Sequence, residues 1–171
     1  MSEATVDIRP ATESDAAALL ALLTTLQRES TTFTADPQLG HLNVTEEAQQ
    51  ISLMMASPKN HLMVADYAGQ LIGIGSIVAI DDARGEIGVA ISKAFWNEGL
   101  GSALMEEMLY WAKTASQLTE IVLTVQLENT YAKRLYRNLG FQVSKSVSVQ
   151  NAIGEAVPAQ TMVLTVRHPA V

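Results

Sequence analysis

Apolar and polar residues alternate along Val6-Asp7-Ile8-Arg9-Pro10, the period of a short strand. A capping-box-like Thr12-Glu13-Ser14-Asp15 then precedes an alanine- and leucine-rich run from Ala16 to Leu26, which predicts a helix. Periodicity is lost from Arg28 to Asn43, where Thr31, Thr32, Pro37 and Gly40 read as a long loop. Long loops in compact domains are often functional, so this one is a candidate binding segment. Thr45, with Glu46 and Glu47 after it, reads as the N-cap of a second helix running to about Ser57. The sequon Asn43-Val44-Thr45 carries little weight without a secretory signal.

A run of strands follows. His61–Asp66 and Leu71–Ile80 flank Tyr67-Ala68-Gly69-Gln70, which reads as a hairpin turn. Asp81–Gly85 forms another turn, and Glu86–Ile91 a third antiparallel strand. Gly73 and Gly75 lie within a strand, where close packing of a helix on the sheet explains them better than a dinucleotide site. In the helix that opens around Gly101, Leu100, Ala103, Leu104, Met108, Trp111 and Ala112 fall at helical spacing. Ile121–Val125 reads as a short buried strand. The next helix has Ala132, Leu135, Tyr136 and Leu139 on one face, Asn129 as its N-cap and Gly140 just past its end. Phe141–Gln150 and Thr161–Val166 read as the last strands, and Asn151–Gln160, with Gly154 and Pro158, reads as the connection between them. The order β-α-α-β-β-β-α-β-α-β-β predicts an α/β fold, a mixed sheet with helices on both faces.

Composition narrows the function. The 171 residues read as a single domain over 1–171, with 48% hydrophobic and 17% charged residues, as in globular chains. With no cysteine, thiolate catalysis and cysteine-ligated metals are excluded, which fits a reducing, cytoplasmic setting. Met1–Thr5 lacks the pattern of a signal peptide, and no apolar run is long enough to span a bilayer. The eleven Lys and Arg residues form no basic stripe against a net charge of −7, which argues against nucleic acid as a partner.

The candidate chemistry centres on Trp96-Asn97-Glu98-Gly99-Leu100-Gly101-Ser102, a turn opening a helix. Two glycines there leave backbone N–H groups unblocked, with the positive helix end behind them, so the turn can hold a phosphate-type anion. The P-loop pattern is absent, and Leu104 stands where a dinucleotide fingerprint needs a small residue.

Taken with Asn129, Ala132, Leu135, Tyr136, Gly140 and Phe141, the turn resembles the GNAT superfamily of acetyl-CoA-dependent N-acetyltransferases. That family's acyl-CoA loop, Arg/Gln-x-x-Gly-x-Gly/Ala, is matched by Trp96–Gly101, and its Asn-x-x-Ala-x-x-Leu-Tyr-x-x-x-Gly-Phe signature by Asn129–Phe141. Trp96 departs from the usual Arg or Gln. The resemblance covers nearly the whole chain and implies a mostly antiparallel sheet. It implies acetyl-CoA as co-substrate and no metal, with transfer to a primary amine by direct attack in a ternary complex. Val89, Ala90 and Ile91 would then pair with the pantetheine arm, and Asn97, Glu98, Gly99, Leu100, Gly101 and Ser102 would cradle the pyrophosphate. Asn129 would contact the arm, and Tyr136 would be the general acid.

The resemblance leaves the base open. Some ribosomal-protein N-acetyltransferases of the superfamily use a glutamate where this chain has Thr124, so Glu86 is the substitute, acting through water. His41, His61 and His168 are weaker candidates. The acceptor, a small-molecule or peptide amine, would meet Arg28–Asn43 and Gln150–Gln160, where Glu29, Asp36 and Glu155 could attract a cation. A non-catalytic acyl-CoA-binding module is the alternative function. Oligomeric state is open, a homodimer included.

Overall fold

The computed structural model describes residues 5–29, 42–151 and 153–167. One seven-stranded sheet comprises β1 (Val6–Pro10), β2 (His61–Tyr67), β3 (Gln70–Ala79), β4 (Arg84–Ile91), β5 (Glu120–Gln126), β6 (Gln142–Gln150) and β7 (Ala156–Thr165). The strands lie in the order β1-β2-β3-β4-β5-β7-β6, and every neighbouring pair is antiparallel except β4–β5. The helices are α1 (Ala16–Glu29), α2 (Val44–Ala56), α3 (Leu100–Ala115) and α4 (Thr130–Asn138). This is the element order that the periodicity predicts.

Strand alternation divides the core in two. Ile77, Ile87, Leu123, Val125 and Met162 point to one face, where Leu104, Met105 and Met108 of α3 and Ala132 of α4 cover them. Leu62, Val64 and Leu71 point to the other face, against Leu19, Leu22 and Leu26 of α1 and Ile51 of α2. Gly75 lies beneath α3, where an added Cβ would come within 3.1 Å of Leu104 and 3.2 Å of Met108, as the sequence suggests. The hairpin turn also matches its prediction: Ala68 and Gly69 both have positive φ, 53° and 93°, the pattern of a type I′ turn.

Arg9 anchors the entry to α1. Its Nη1 and Nη2 donate to Asp15 at 2.8 Å each, and Nη2 also reaches Asp66 of β2 at 3.1 Å. Arg9 thereby holds the Asp15 carboxyl down at about 2, against the opposing effect of burial.

Several boundaries differ from the sequence reading: α1 runs on to Glu29 and β4 starts at Arg84, inside the expected loop and turn. Asn43, not Thr45, caps α2: its Oδ1 accepts from Glu46 N–H at 2.8 Å, and Glu46 Oε1 accepts from Asn43 N–H in return. Both residue types cap well, and the reciprocal partner three residues on decides between them. β7 begins at Ala156, so half of the expected 151–160 connection is strand. Pro158 sits opposite Ser148 of β6 and needs no N–H, while its carbonyl accepts from Leu127 N–H at 3.0 Å.

His61, the first residue of β2, stacks on Trp111 of α3 with ring centroids 4.6 Å apart and planes within 4°. Burial pushes its pKa below the ordinary 6.5, because the charged imidazolium is poorly solvated there. The folded state therefore prefers neutral His61. This contribution is complete above pH 6.5 and is lost as pH falls from 6.5 through the lowered folded value. Buried Glu47, whose carboxyl burial raises, acts in the opposite sense as it protonates. The contrast between wild type and His61→Phe isolates the histidine. Chemical denaturation from pH 7 to pH 4 should show the variant losing less stability than wild type, and equal losses would contradict this assignment.

Candidate active site

β4 and β5 are paired at only three positions, Arg84–Glu120, Gly85–Ile121 and Glu86–Val122. Beyond them residues 87–91 stay bonded to β3 and residues 123–126 to β7, so the two strands part into an opening in the sheet. The hydrogen bonds Ile80 N–H to Arg84 O (2.8 Å) and Ser92 N–H to Ile72 O (2.8 Å) set the phase of the β3–β4 ladder. With that phase, even-numbered residues of β4 bond β3, and Ile87, Val89 and Ile91 turn their N–H and C=O groups into the opening. Of the three residues expected to pair with a ligand, Val89 and Ile91 can offer main-chain groups. Ala90 turns its own toward Ile74.

β4 leads to the anion turn. Gly99 is the N-cap of α3 in a left-handed conformation, φ 78°, which glycine adopts without strain. The first helical bond runs from Ala103 N–H to Gly99 O, so the N–H groups of Leu100, Gly101 and Ser102 belong to the unpaired first turn. No acidic side chain occupies that turn. A Cβ on Gly101 would meet Leu135 only at an ordinary 3.7 Å, so packing within the protein does not require glycine here.

Trp96 has a local task. Its indole Nε1 donates to Ile91 O at 2.7 Å, satisfying the last carbonyl on the open edge of β4 and folding the turn back onto the strand. Glu29 holds the same corner from the other side, where its Oε1 accepts from Lys93 N–H (3.1 Å) and Ser92 Oγ (3.3 Å). The sequence suggested Glu29 as an attractor of cations; in the fold it ties the end of α1 to the β4–α3 loop. Glu155 is exposed beside the β6–β7 reversal, and Asp36, His41 and His168 lie outside the described residues.

Asn129 caps α4, its Oδ1 accepting from Ala132 N–H at 3.1 Å. Tyr136 lies on the α3/α4 side, partly buried, with its ring 6.0 Å from that of Phe141. Burial raises its pKa above 10, which keeps the hydroxyl protonated and makes it a hydrogen-bond donor at any ordinary pH. Glu86 lies at the last paired position of β4, exposed, on the face opposite Ile87 and hence on the α1/α2 side. Glu86 and Tyr136 therefore stand on opposite faces and can act together only through the opening. Thr124 is exposed on the same face as Glu86 and carries no ionisable group. Among the described residues no group of His, Asp or Glu is arranged to hold a metal.

Residues 22–141 match the profile of the acetyltransferase (GNAT) family. The chain belongs to that family. Its fold superposes on a GNAT-family acetyltransferase from Streptococcus pneumoniae at 29% identity and TM-score 0.87, covering 94% of this chain and 99% of that one. It also resembles yncA of Salmonella typhimurium, solved with acetyl-CoA, at 18% identity and TM-score 0.82, over 98% and 97% of the two chains. A third likeness is spermidine N-acetyltransferase from Vibrio cholerae, solved with CoA and spermine, at 18% identity and TM-score 0.76, over 94% and 95%. No curated protein matches by sequence. As a GNAT acetyltransferase the chain acts with acetyl-CoA, which sets aside the reading as a non-catalytic binding module. No helix among the described residues is long and apolar enough to cross a membrane.

Proposed function

We propose that this GNAT acetyltransferase, acting as a single N-acetyltransferase domain over 1–171, transfers acetyl to a primary amine by direct attack in a ternary complex. One observation carries the reading: β4 and β5 part after the Glu86–Val122 pair, with Tyr136 packed on the α3/α4 side of the sheet and Glu86 exposed on the other. Bound acetyl-CoA supplies an activated acyl carbon and a thiolate leaving group. The N–H groups from Asn97 to Ser102 hold its pyrophosphate at the start of α3, and Trp96 fixes that turn to β4. Main-chain groups of Val89 and the N–H of Ile91 pair with the pantetheine arm, and the amide of Asn129 meets the arm beyond its capping bond. The Val89 N–H polarises the thioester carbonyl as an oxyanion donor.

The amine lone pair then forms the new C–N bond while the C–S bond breaks. Tyr136 donates its phenolic hydrogen toward the departing sulfur, and Glu86 takes the surplus proton from nitrogen through water. Only a neutral amine attacks. At pH 7 an α-amino group near pKa 8 gives up about 1.4 kcal/mol to become neutral and a lysine-like amine about 4.6 kcal/mol, so the former needs Glu86 far less. A cytoplasmic setting belongs to the same reading, supported by the lack of cysteine.

Incubation with acetyl-CoA and a panel of amino acids, peptides and polyamines tests this, with free CoA and product mass as readouts. At least one acetylated amine is expected. CoA release with no acetylated amine on any member of the panel, or acetylation at oxygen alone, would overturn it.

A further inference from the structure

We propose that the side-chain amide of Gln126 is the hydrogen-bond acceptor that seats the amine substrate, on the opposite face of the sheet from the anion turn. The proposal rests on the amine-transfer reading and names the residue that reads the acceptor. Gln126 ends β5 and is only 7% exposed, and its Oε1 has no hydrogen-bond partner among the described residues. Buried carbonyl oxygens are nearly always paired, so an unpaired one on β5, where that strand has parted from β4, points to a donor brought by a ligand.

Its position says which ligand. Ile121, Leu123 and Val125 fill the core beneath α3 and α4, so Val122, Thr124 and Gln126 face the α1/α2 side. Counting in step from the Glu86–Val122 pair, Gln126 stands across the opening from Ala90, which packs toward the α1/α2 cluster. The amide therefore lies at the wide end of the opening, on the side away from Tyr136 and α3. A cofactor arm entering from α3 meets the strand edges and the acid. A donor reaching Gln126 comes from the other side, and in this reaction it is the amine.

Gln126's strand neighbours on that face are neutral: Ala159, its direct partner on β7, Thr124 two residues back on β5, and Thr161, which pairs with Thr124. An amide oxygen accepts an N–H without removing the proton, so Gln126 orients the nucleophile and leaves deprotonation to Glu86 or solvent.

Gln126→Met, which keeps the size and removes the acceptor, and Gln126→Glu, which keeps an acceptor oxygen, test this on an amine that wild type acetylates. The methionine variant should raise the amine KM about tenfold, the worth of one hydrogen bond. Its kcat and acetyl-CoA Kd should stay within about twofold, and its Tm should not fall, since only an unpaired polar group has been removed. The glutamate variant should recover most of the amine KM. Three results would overturn the proposal: an unchanged amine KM in Gln126→Met; a loss of acetyl-CoA affinity instead, which would make the amide a cofactor contact; or a lower Tm with unchanged KM, which would make it structural. Failure of the transferase reading is separable, because wild type would then bind acetyl-CoA and acetylate no amine before any variant is made.

Discussion

Tyr136→Phe is expected to lower kcat by about 100- to 1000-fold while acetyl-CoA affinity stays within about twofold, the pattern of a lost general acid. The ring should stay in place. It packs against Phe141 and the α3/α4 core, and its hydroxyl makes no hydrogen bond to the described residues, so removing the oxygen breaks no protein contact. Tm should therefore move by no more than about 2 °C. Burial raises the Tyr136 pKa, so outright transfer to sulfur is more uphill than the gap between an ordinary tyrosine near 10 and a thiol near 8.5. The group is thus better suited to a strengthening hydrogen bond during departure than to early proton transfer. Since its folded pKa lies above 10, wild-type activity should show no alkaline loss from this group below that pH. Steady-state kinetics from pH 6 to pH 10, with binding by calorimetry, distinguish the cases. Equal turnover by both proteins across the range would remove Tyr136 as the acid.

What could be read in the sequence here was local. The Trp96–Gly101 turn, the Asn129 cap and Gly140 at positive φ each depend on residues within a few positions, and each is where periodicity and turn chemistry place it. Local signals also account for the misplacements. Gly154 and Pro158 suggested a longer connection, but pairing of Ala156–Gln160 with β6 overrode them, since strand formation depends on the neighbour more than on propensity. The opening between β4 and β5 has no local signature: it arises because pairing stops after Glu86 and Val122, residues 36 positions apart in the chain. The direction of Ala90's main-chain groups and the burial of Gln126 follow from that same non-local register. Alternation along Glu120–Gln126 could have placed Thr124 and Gln126 on one face, but not shown that the face borders a cleft.

Gly101→Glu is expected to weaken acetyl-CoA binding about 100-fold without destabilising the fold, a separation that few substitutions at a binding site allow. A carboxylate about 5 Å from one pyrophosphate charge, at an effective dielectric near 20, is unfavourable by about 3 kcal/mol. The fold responds in the opposite sense. Gly101 is the second residue of α3, where an acidic side chain complements the positive helix end and any side chain lowers the conformational cost of glycine. An added Cβ would meet Leu135 at an ordinary 3.7 Å, so Tm should hold or rise. Gly101→Gln is the control for bulk: it fills similar space without the charge and should weaken binding much less. Raising ionic strength should narrow the gap between the two variants, because the extra loss is electrostatic and the turn is open to solvent. Calorimetric titration of acetyl-CoA at two salt concentrations, beside thermal melts, measures all of this. Wild-type affinity in the glutamate variant would place the pyrophosphate elsewhere than on the α3 turn, and equal losses in both variants would make Gly101 a matter of space rather than charge.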